Sequence, residues 1–561
     1  MVERAVRQRE QSGARITATA RHGRAWTGLA AAIAVVLFAL LATTPVQAQP
    51  SVGAVADAIH AQLRQGVAGR GPWPLGWRRL SDFYRTRNWQ PVWFGGSDAY
   101  RRAKLWRDTL RAADSEGLDS RNYRLAVIEE YWSLEDADSL ATLDLLLTDA
   151  FVHYSADVRV GRLNPAEVDP DWHIAPPSAK SVPWAWLTLD PDRFASLLRS
   201  LPPPQDGYWR LREALSRYRR IANDGGWPTL PAGPPPKYGD RGRRIGLLRI
   251  RLMAEGDLAY DPSAPVDVFD EKMLDAVKRF QSRYGLSADG VVGPATVATM
   301  NVPVANRIEQ IRVNMERWRW LPRHLGQRYV MVNTAGYQLD AYDDDHLALS
   351  MRVITGRKDW MTPVVSGRLV AIQFNPYWLV PEKIAAEELL PKQQQDPHYF
   401  ASEGIRVFDS WSVKARELDP ARINWRKIDP DHFPYRLRQD PGPRNALGRV
   451  KFIFTNNFAI YLHDTPQRKL FNETSRAFSH GCVRVQHPLV LTSYLLQGDQ
   501  SWTRKRIRQV IDSSDTESAR LARPIPIYLV YMTAWVDAAD QVHFRKDVYE
   551  RDQLMEKTGA G

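Results

Sequence analysis

Ala477-Phe-Ser-His-Gly-Cys-Val-Arg-Val-Gln-His-Pro-Leu-Val490 is the stretch on which the reading of this chain turns. It holds Cys482, the only cysteine among 561 residues. Gly481 precedes the thiol, His480 lies two positions back and Arg484 two positions on. A second histidine, His463, sits upstream in Ile460-Tyr-Leu-His-Asp-Thr-Pro466. A thiol is a weak nucleophile until a base or a positive environment makes it a thiolate. A lone cysteine with histidines elsewhere in the chain is therefore a nucleophile candidate, although a single cysteine is also often a small buried hydrophobe. Ser479, Gly481 and Arg484 do not suit a core strand. Glycine lets the backbone turn close to a substrate, and consecutive amides there suit an oxyanion.

The run Ser479-His-Gly-Cys-Val-Arg484, with a histidine about one hairpin earlier, resembles the catalytic signature of the L,D-transpeptidases of bacterial cell walls. The resemblance implies Cys482 as nucleophile and His463 as base. Asp464 follows His463 where the family usually has glycine, a departure that the large Gram-negative form with an N-terminal scaffold tolerates. The reaction implied is attack of Cys482 on the carbonyl after the L-centre of the diamino acid in a tetrapeptide stem, with release of D-Ala. The amine of a neighbouring stem then resolves the thioester, giving a 3→3 cross-link. The partners implied are donor and acceptor stem peptides, and other wall-synthesis proteins are further candidates. No metal, nucleotide or other cofactor enters this chemistry. Water in place of the amine would make the enzyme an L,D-carboxypeptidase, and a lipoprotein amine would make it a lipoprotein-to-peptidoglycan ligase. An inactive wall-binding scaffold is the non-enzymatic alternative. By the same resemblance, carbapenems are the expected inhibitors.

His480 is the rival base, but it stands only two residues from the thiol, so His463 is the expected base, with Ser479, His480 and Gly481 shaping the site. Arg484 is read either as a holder of the donor's carboxylate or as a packing residue. Tyr461, Asn375, Tyr377 and Trp378 are candidate pocket residues. His463, His480, Cys482 and His487 make a conceivable zinc set, but the spacing lacks a paired-ligand motif, and no metal is expected.

The length implies about three domains, and the fold class expected is multidomain α+β. Lys plus Arg number 76 against 64 Asp plus Glu, a net charge of +12, which suits an anionic partner such as wall polymer, membrane surface or nucleic acid. Zinc-knuckle spacing and RNA-binding aromatic motifs are lacking, so nucleic acid is the weakest of these. One cysteine forbids an intrachain disulfide and leaves the thiol available in an oxidising compartment.

Residues 1–48 read as a signal peptide: an arginine-rich start, the apolar run Leu29–Leu41, then Val46-Gln-Ala48 as an A-x-A-like cleavage site. The alternative is an uncleaved inner-membrane anchor. Both place the rest of the chain in the periplasm. Residues 49–236 alternate helical patterns with Trp- and Pro-rich connections and resemble the scaffold of the large transpeptidases. His153 and His173 are expected as packing or surface residues, and Pro202-Pro-Pro-Gln205 and Pro231–Pro236 as linkers. Residues 237–302 carry Phe280-Gln-Ser-Arg-Tyr-Gly-Leu-Ser-Ala-Asp-Gly-Val-Val-Gly-Pro-Ala-Thr296 and resemble the small three-helix peptidoglycan-binding domain of wall-lytic enzymes, with a mere spacer as the alternative. Residues 303–550 are mostly strand-patterned and are the expected catalytic domain. Asn456-Asn457 is read as a hairpin turn leading to His463, residues 377–447 as a lid-like capping insertion with helical and irregular parts, and 551–561 as a tail.

Overall fold

Apolar residues at 3.6-residue spacing make the first region helical, and its longest helix, Ala137–Val160, is buried on most of its faces, its polar Asp144, Thr148 and Ser155 included. Asp136 caps it by accepting the Ser139 N–H at 2.9 Å. The computed structural model describes residues 50–66, 77–178, 183–412 and 414–558. The expected signal peptide lies outside the described residues. Among the described residues no helix is long and apolar enough to cross a membrane.

The three-helix module consists of Arg243–Ala254, Glu271–Arg283 and Pro294–Met300. Its Phe-Gln motif has a physical basis. Phe280 is buried in the core, and Gln281 stitches the following loop by donating to Asp289 Oδ1 and the Val291 carbonyl and accepting the Gly290 N–H. Gly290 has φ +79°, and a Cβ there would collide with Leu274.

Among the described residues fifteen strands follow. They are β1 (Arg328–Asn333), β2 (Gln338–Asp343), β3 (His346–Gly356), β4 (Val365–Phe374), β5 (Trp378–Leu379), β6 (Ile405–Phe408), β7 (Glu417–Leu418) and β8 (Arg436–Gln439), then β9 (Val450–Phe454), β10 (Leu462–His463), β11 (Ala477–Ser479), β12 (Val483–Val485), β13 (Glu517–Val530), β14 (Ala534–Val536) and β15 (Val542–Phe544). The main sheet runs β11-β3-β12-β10-β9-β4-β13-β1-β2, and β2 also pairs with β3. The order therefore closes on itself as a barrel, with β11 branching from β3, and closure removes free edges. Val330, Leu339, Leu369, Phe452, Leu462, Val483 and Leu529 fill its interior. The fold is thus a multidomain α+β one.

Several sequence expectations change. The segment expected to be a lid of helical and irregular parts also contains a four-stranded sheet, β5-β8-β6-β7, and has its own apolar core around Leu390, Phe400, Val407 and Leu437. Asn456-Asn457 is not a tight turn. The Asn456 side chain bridges the Phe454 and Ile460 carbonyls and accepts the Phe458 and Ile460 N–H groups, which holds open a broad loop before β10. Pro202–Gln205 is no linker. Arg323 donates to the Leu201 and Pro202 carbonyls, and Gln205 donates to the Pro322 and Arg323 carbonyls. The expected tail forms a helix, Arg551–Lys557, whose Asp552 pairs with the buried Arg317 at 2.5 Å.

The described residues from Val52 on pack as one unit rather than as beads on linkers. One apolar core joins Tyr208, Leu211 and Tyr218 of the first region, Leu248, Leu252 and Phe280 of the module, and Tyr528 and Val530 of β13. At its centre Glu255 is wholly buried between Arg251 (2.5 Å) and the hydroxyls of Tyr218 and Tyr284. Burial would raise this carboxyl, but Arg251, Arg283 and the two hydroxyls outweigh it and hold it at about 2. Removing one partner strands buried charge, so Glu255→Ala is expected to cost about 3–5 kcal/mol, read as a drop in the urea midpoint. The Glu255 contribution is present above the ordinary carboxyl value of 4.5 and is lost as pH falls toward about 2. The stability gap between wild type and Glu255→Gln should therefore narrow on acidification from pH 5.

Candidate active site

Strand alternation builds the site. β10 and β12 pair in parallel, Leu462 opposite Val483 and His463 opposite Arg484. Successive side chains of a strand point to opposite faces. Leu462, Val483 and Val485 enter the barrel core, while Tyr461, His463, Cys482 and Arg484 share the other face. That face opens into a cavity of about 570 Å3 roofed by the capping segment, where Trp378, Ile384 and Glu388 contribute to the lining.

The turn before the thiol is held tightly. Gly481 has φ +101°, a value that disfavours any side chain. Its carbonyl accepts the hydroxyl of the fully buried Thr362 at 2.8 Å, and Thr362 in turn accepts the Gly356 N–H at 2.9 Å. Ser479 donates its hydroxyl to the Cys482 carbonyl at 2.5 Å. Ser479 and Gly481 therefore fix the backbone around the sulfur, with the Ser479 hydroxyl committed to the Cys482 carbonyl.

His463 is 5% exposed, and its Nδ1 lies 2.5 Å from the backbone carbonyl of Asp464. A carbonyl can only accept, so Nδ1 carries the proton and Nε2 keeps its lone pair. Burial, reinforced by the positive charges of Arg484 and Lys451, pushes this imidazole down to about 3. The unusual Asp464 has its own task. Its carboxylate accepts the Arg449 and Thr465 N–H groups and pairs with Arg468, which fixes the chain just past the histidine.

Cys482 is half-buried. Burial raises its thiol above the ordinary 9.0, and hydrogen bonding with Tyr461 and the charges of Lys451 and Arg484 oppose that rise only in part. The resting pair is consequently neutral thiol and neutral imidazole. His480 is differently occupied. Its Nε2 donates to Glu388 of the capping segment at 2.5 Å, and its ring meets Trp360 edge-on at 5.0 Å. Glu388 also accepts from Arg357 at 3.1 Å, and these partners overcome burial to hold the carboxyl below its usual range. With that nitrogen committed, His480 ties turn to cap.

Arg484 donates one Nη to Gln467 at 2.7 Å, while its buried Nε has no hydrogen-bond partner among the described residues. Trp378 lines the cavity, but Tyr377 and Asn375 do not. Asn375 is fully buried and donates to the Val510 and Asp515 carbonyls, so it anchors the end of a helix instead. Tyr377 is exposed beneath the Arg438 guanidinium. The conceivable zinc set is dispersed in its roles: His463 binds a carbonyl, His480 binds Glu388 and His487 is exposed.

The sequence reading passed over Lys451 and Glu388. Lys451 lies opposite His463 in β9, with its Nζ 3.9 Å from the Tyr461 ring centroid. A lone cation in the alternating run Val450-Lys-Phe-Ile-Phe454 was the available signal. Glu388 had none, since it meets His480 across 92 residues of chain.

Three family models match in order along the chain. Residues 78–215 match a scaffold domain, 241–300 a "Putative peptidoglycan binding domain", and 327–509 an L,D-transpeptidase catalytic domain. The chain thus carries an L,D-transpeptidase catalytic domain behind scaffold and peptidoglycan-binding domains. A Haemophilus influenzae protein named "Putative L,D-transpeptidase" is 39% identical over 252 residues, which are 45% of this chain. The match spans 50% of that relative's length. L,D-transpeptidase structures from Xylanimonas cellulosilytica (16% identity, 54% of this chain and 99% of that one, TM-score 0.18) and Stackebrandtia nassauensis (14%, 54% and 96%, 0.21) also match.

A neutral resting pair has a measurable consequence. Alkylation of Cys482 by iodoacetamide should accelerate with pH and inflect above about 9. A rate already level at pH 7 would reveal a preformed thiolate–imidazolium pair and contradict the charge balance described above.

Proposed function

We propose that the protein is a periplasmic cysteine L,D-transpeptidase that forms 3→3 cross-links in peptidoglycan from tetrapeptide stems. The observation carrying this reading is the placement of Cys482 and His463 on one cavity face, with the histidine's tautomer set so that Nε2 can accept a proton. The catalytic-domain match over 327–509 and the peptidoglycan-binding match over 241–300 support the substrate class. The basic, then apolar, first 48 residues support export.

In this mechanism the Cys482 proton passes to His463 Nε2 as sulfur attacks the carbonyl after the L-centre. The C–N bond to D-Ala breaks, and His463 returns the proton to the departing amine. In the second half His463 takes a proton from the acceptor amine as its nitrogen attacks the thioester, and the sulfur leaves as thiolate and is reprotonated. The amides of the Gly481–Cys482 turn suit the developing oxyanion. Arg484, with an unpartnered Nε and no carboxylate of its own, suits the stem's carboxylate. Because the resting thiol is neutral, proton transfer and attack are coupled and await the substrate.

Tetrapeptide muropeptides incubated with the purified protein should yield a cross-linked dimer by mass spectrometry. Tripeptide alone would assign an L,D-carboxypeptidase, and no product the inactive wall-binding alternative. Cys482→Ala should abolish turnover, and His463→Ala should lower it by roughly 10²–10⁴, well beyond His480→Ala.

A carbapenem should leave a stable mass adduct on Cys482 that is absent from Cys482→Ala. Ampicillin, which mimics a bond between two D-centres, should leave little. Equal adducts with both drugs would contradict the L,D specificity.

A further inference from the structure

A second cavity, of about 550 Å3, lies at the seam between the three-helix module and the barrel. Gly285, Leu286, Ser287 and Ala288 of the module form one wall. The other wall comes from the barrel side and carries three guanidinium groups, those of Arg352, Arg476 and Arg545. Each bonds only to neutral oxygen. Arg352 donates to the Phe471 carbonyl, Arg476 to the carbonyls of Val353, Glu473 and Tyr337, and Arg545 to those of Arg283 and Phe544. Among the described residues none of the three makes an ion pair with a carboxylate, although this chain forms many such pairs elsewhere. Glu473 is the only acidic residue in the lining, and it is exposed.

Arg476 and Arg545 are partly buried while Arg352 is exposed, and like charges brought together without counter-ions are unfavourable. The strain registers in the groups themselves. Burial and the neighbouring Arg352 bring Arg476 down to about 10, and burial and Arg476 bring Arg545 down to about 10. Arg476 and Arg545 therefore remain cationic near neutral pH. The arrangement is also built rather than incidental. Arg545 packs so closely under Gly285 that a Cβ there would approach its side chain to 2.7 Å, and its guanidinium lies 4.8 Å from the Trp535 ring centroid. The module, the barrel and the cation cluster are therefore held in fixed relation.

We propose that this seam cavity is a second binding site, one that takes the free carboxylates of a peptidoglycan stem peptide. Wall peptide is favoured over other anions because the cavity is walled by the peptidoglycan-binding match and adjoins the catalytic strands. Arg476 immediately precedes β11, whose far end carries the Ser479–Cys482 turn, and the Arg476 carbonyl accepts the Thr355 N–H of β3. A stem held there would anchor the wall strand beside the strand that presents the thiol. This inference rests on the cell-wall reading of the active site but uses residues outside it.

The test uses the full chain with Cys482 alkylated, so that the catalytic cavity is blocked. Titration calorimetry at low salt would measure binding of the tripeptide stem L-Ala-D-Glu-diamino acid, of the same peptide with its carboxylates amidated, and of inorganic phosphate. Ser287 and Arg352 are both exposed, so Ser287→Glu and Arg352→Glu change the cavity's charge without disturbing the core. The free-carboxylate peptide should bind, the amidated one should not, and each variant should weaken binding at least tenfold. Ser287→Lys should keep it. Unchanged affinity in both acidic variants would overturn the proposal, as would loss of binding in Ser287→Lys, which would indicate shape rather than charge. Phosphate that binds as tightly as the peptide and displaces it would overturn the assignment to wall peptide. The unalkylated variants should still turn over tetrapeptide. Charge-dependent peptide binding in a protein without turnover would support the seam site and sink only the transpeptidase reading.

Discussion

The parallel pairing of β10 with β12 is the constraint from which the site follows. It sets His463 beside Arg484 and places Cys482 level with Tyr461, on the face turned away from the barrel core. A slip of one residue would send His463 and Cys482 inward and Leu462 and Val483 outward. The buried Leu462, Val483 and Val485 prevent that slip, because exposing them would forfeit their burial. The chemistry is thus positioned by the apolar residues between the reactive ones.

Around that pairing, the reactive groups are tuned by burial more than by mutual attraction. Burial raises the thiol and lowers the imidazole, so the free protein holds both uncharged. Lys451 and Arg484 favour thiolate and disfavour imidazolium at once, which separates the roles of the two groups. The cap takes part in this arrangement through Glu388, which holds His480 and Arg357 together.

The modules are bonded to one another through charge as well as apolar contact. Glu255 gathers Arg251, Tyr218 and Tyr284, and Arg283 reaches from the module to the β15 carbonyl of Val542. Excising the three-helix module would expose these groups and the shared core, so the module is better probed by surface charge than by deletion. Loop 169–174 of the scaffold likewise reaches the catalytic domain: His173 donates its N–H to the Val364 carbonyl and its ring meets Phe458, which lines the active-site cavity.

By itself the sequence determined the candidate reactive residues and the order of the parts. Cys482 in a Ser-His-Gly-Cys turn, a histidine one strand earlier, the Phe280–Thr296 motif and the alternation in β1 to β3 are local patterns, and local patterns are legible because backbone sterics and side-chain periodicity act over a few residues. Tertiary structure alone decided what depends on distant contacts. Asn375 looked like a pocket residue but is buried against a helix end, Glu388 reaches His480 from the cap, Pro202–Gln205 is clasped by Arg323 rather than free, and Arg352, Arg476 and Arg545 converge at a seam between separate segments. Each of those outcomes is set by which surfaces the closed barrel and the shared core bring together, and residue type and spacing along the chain carry no record of it.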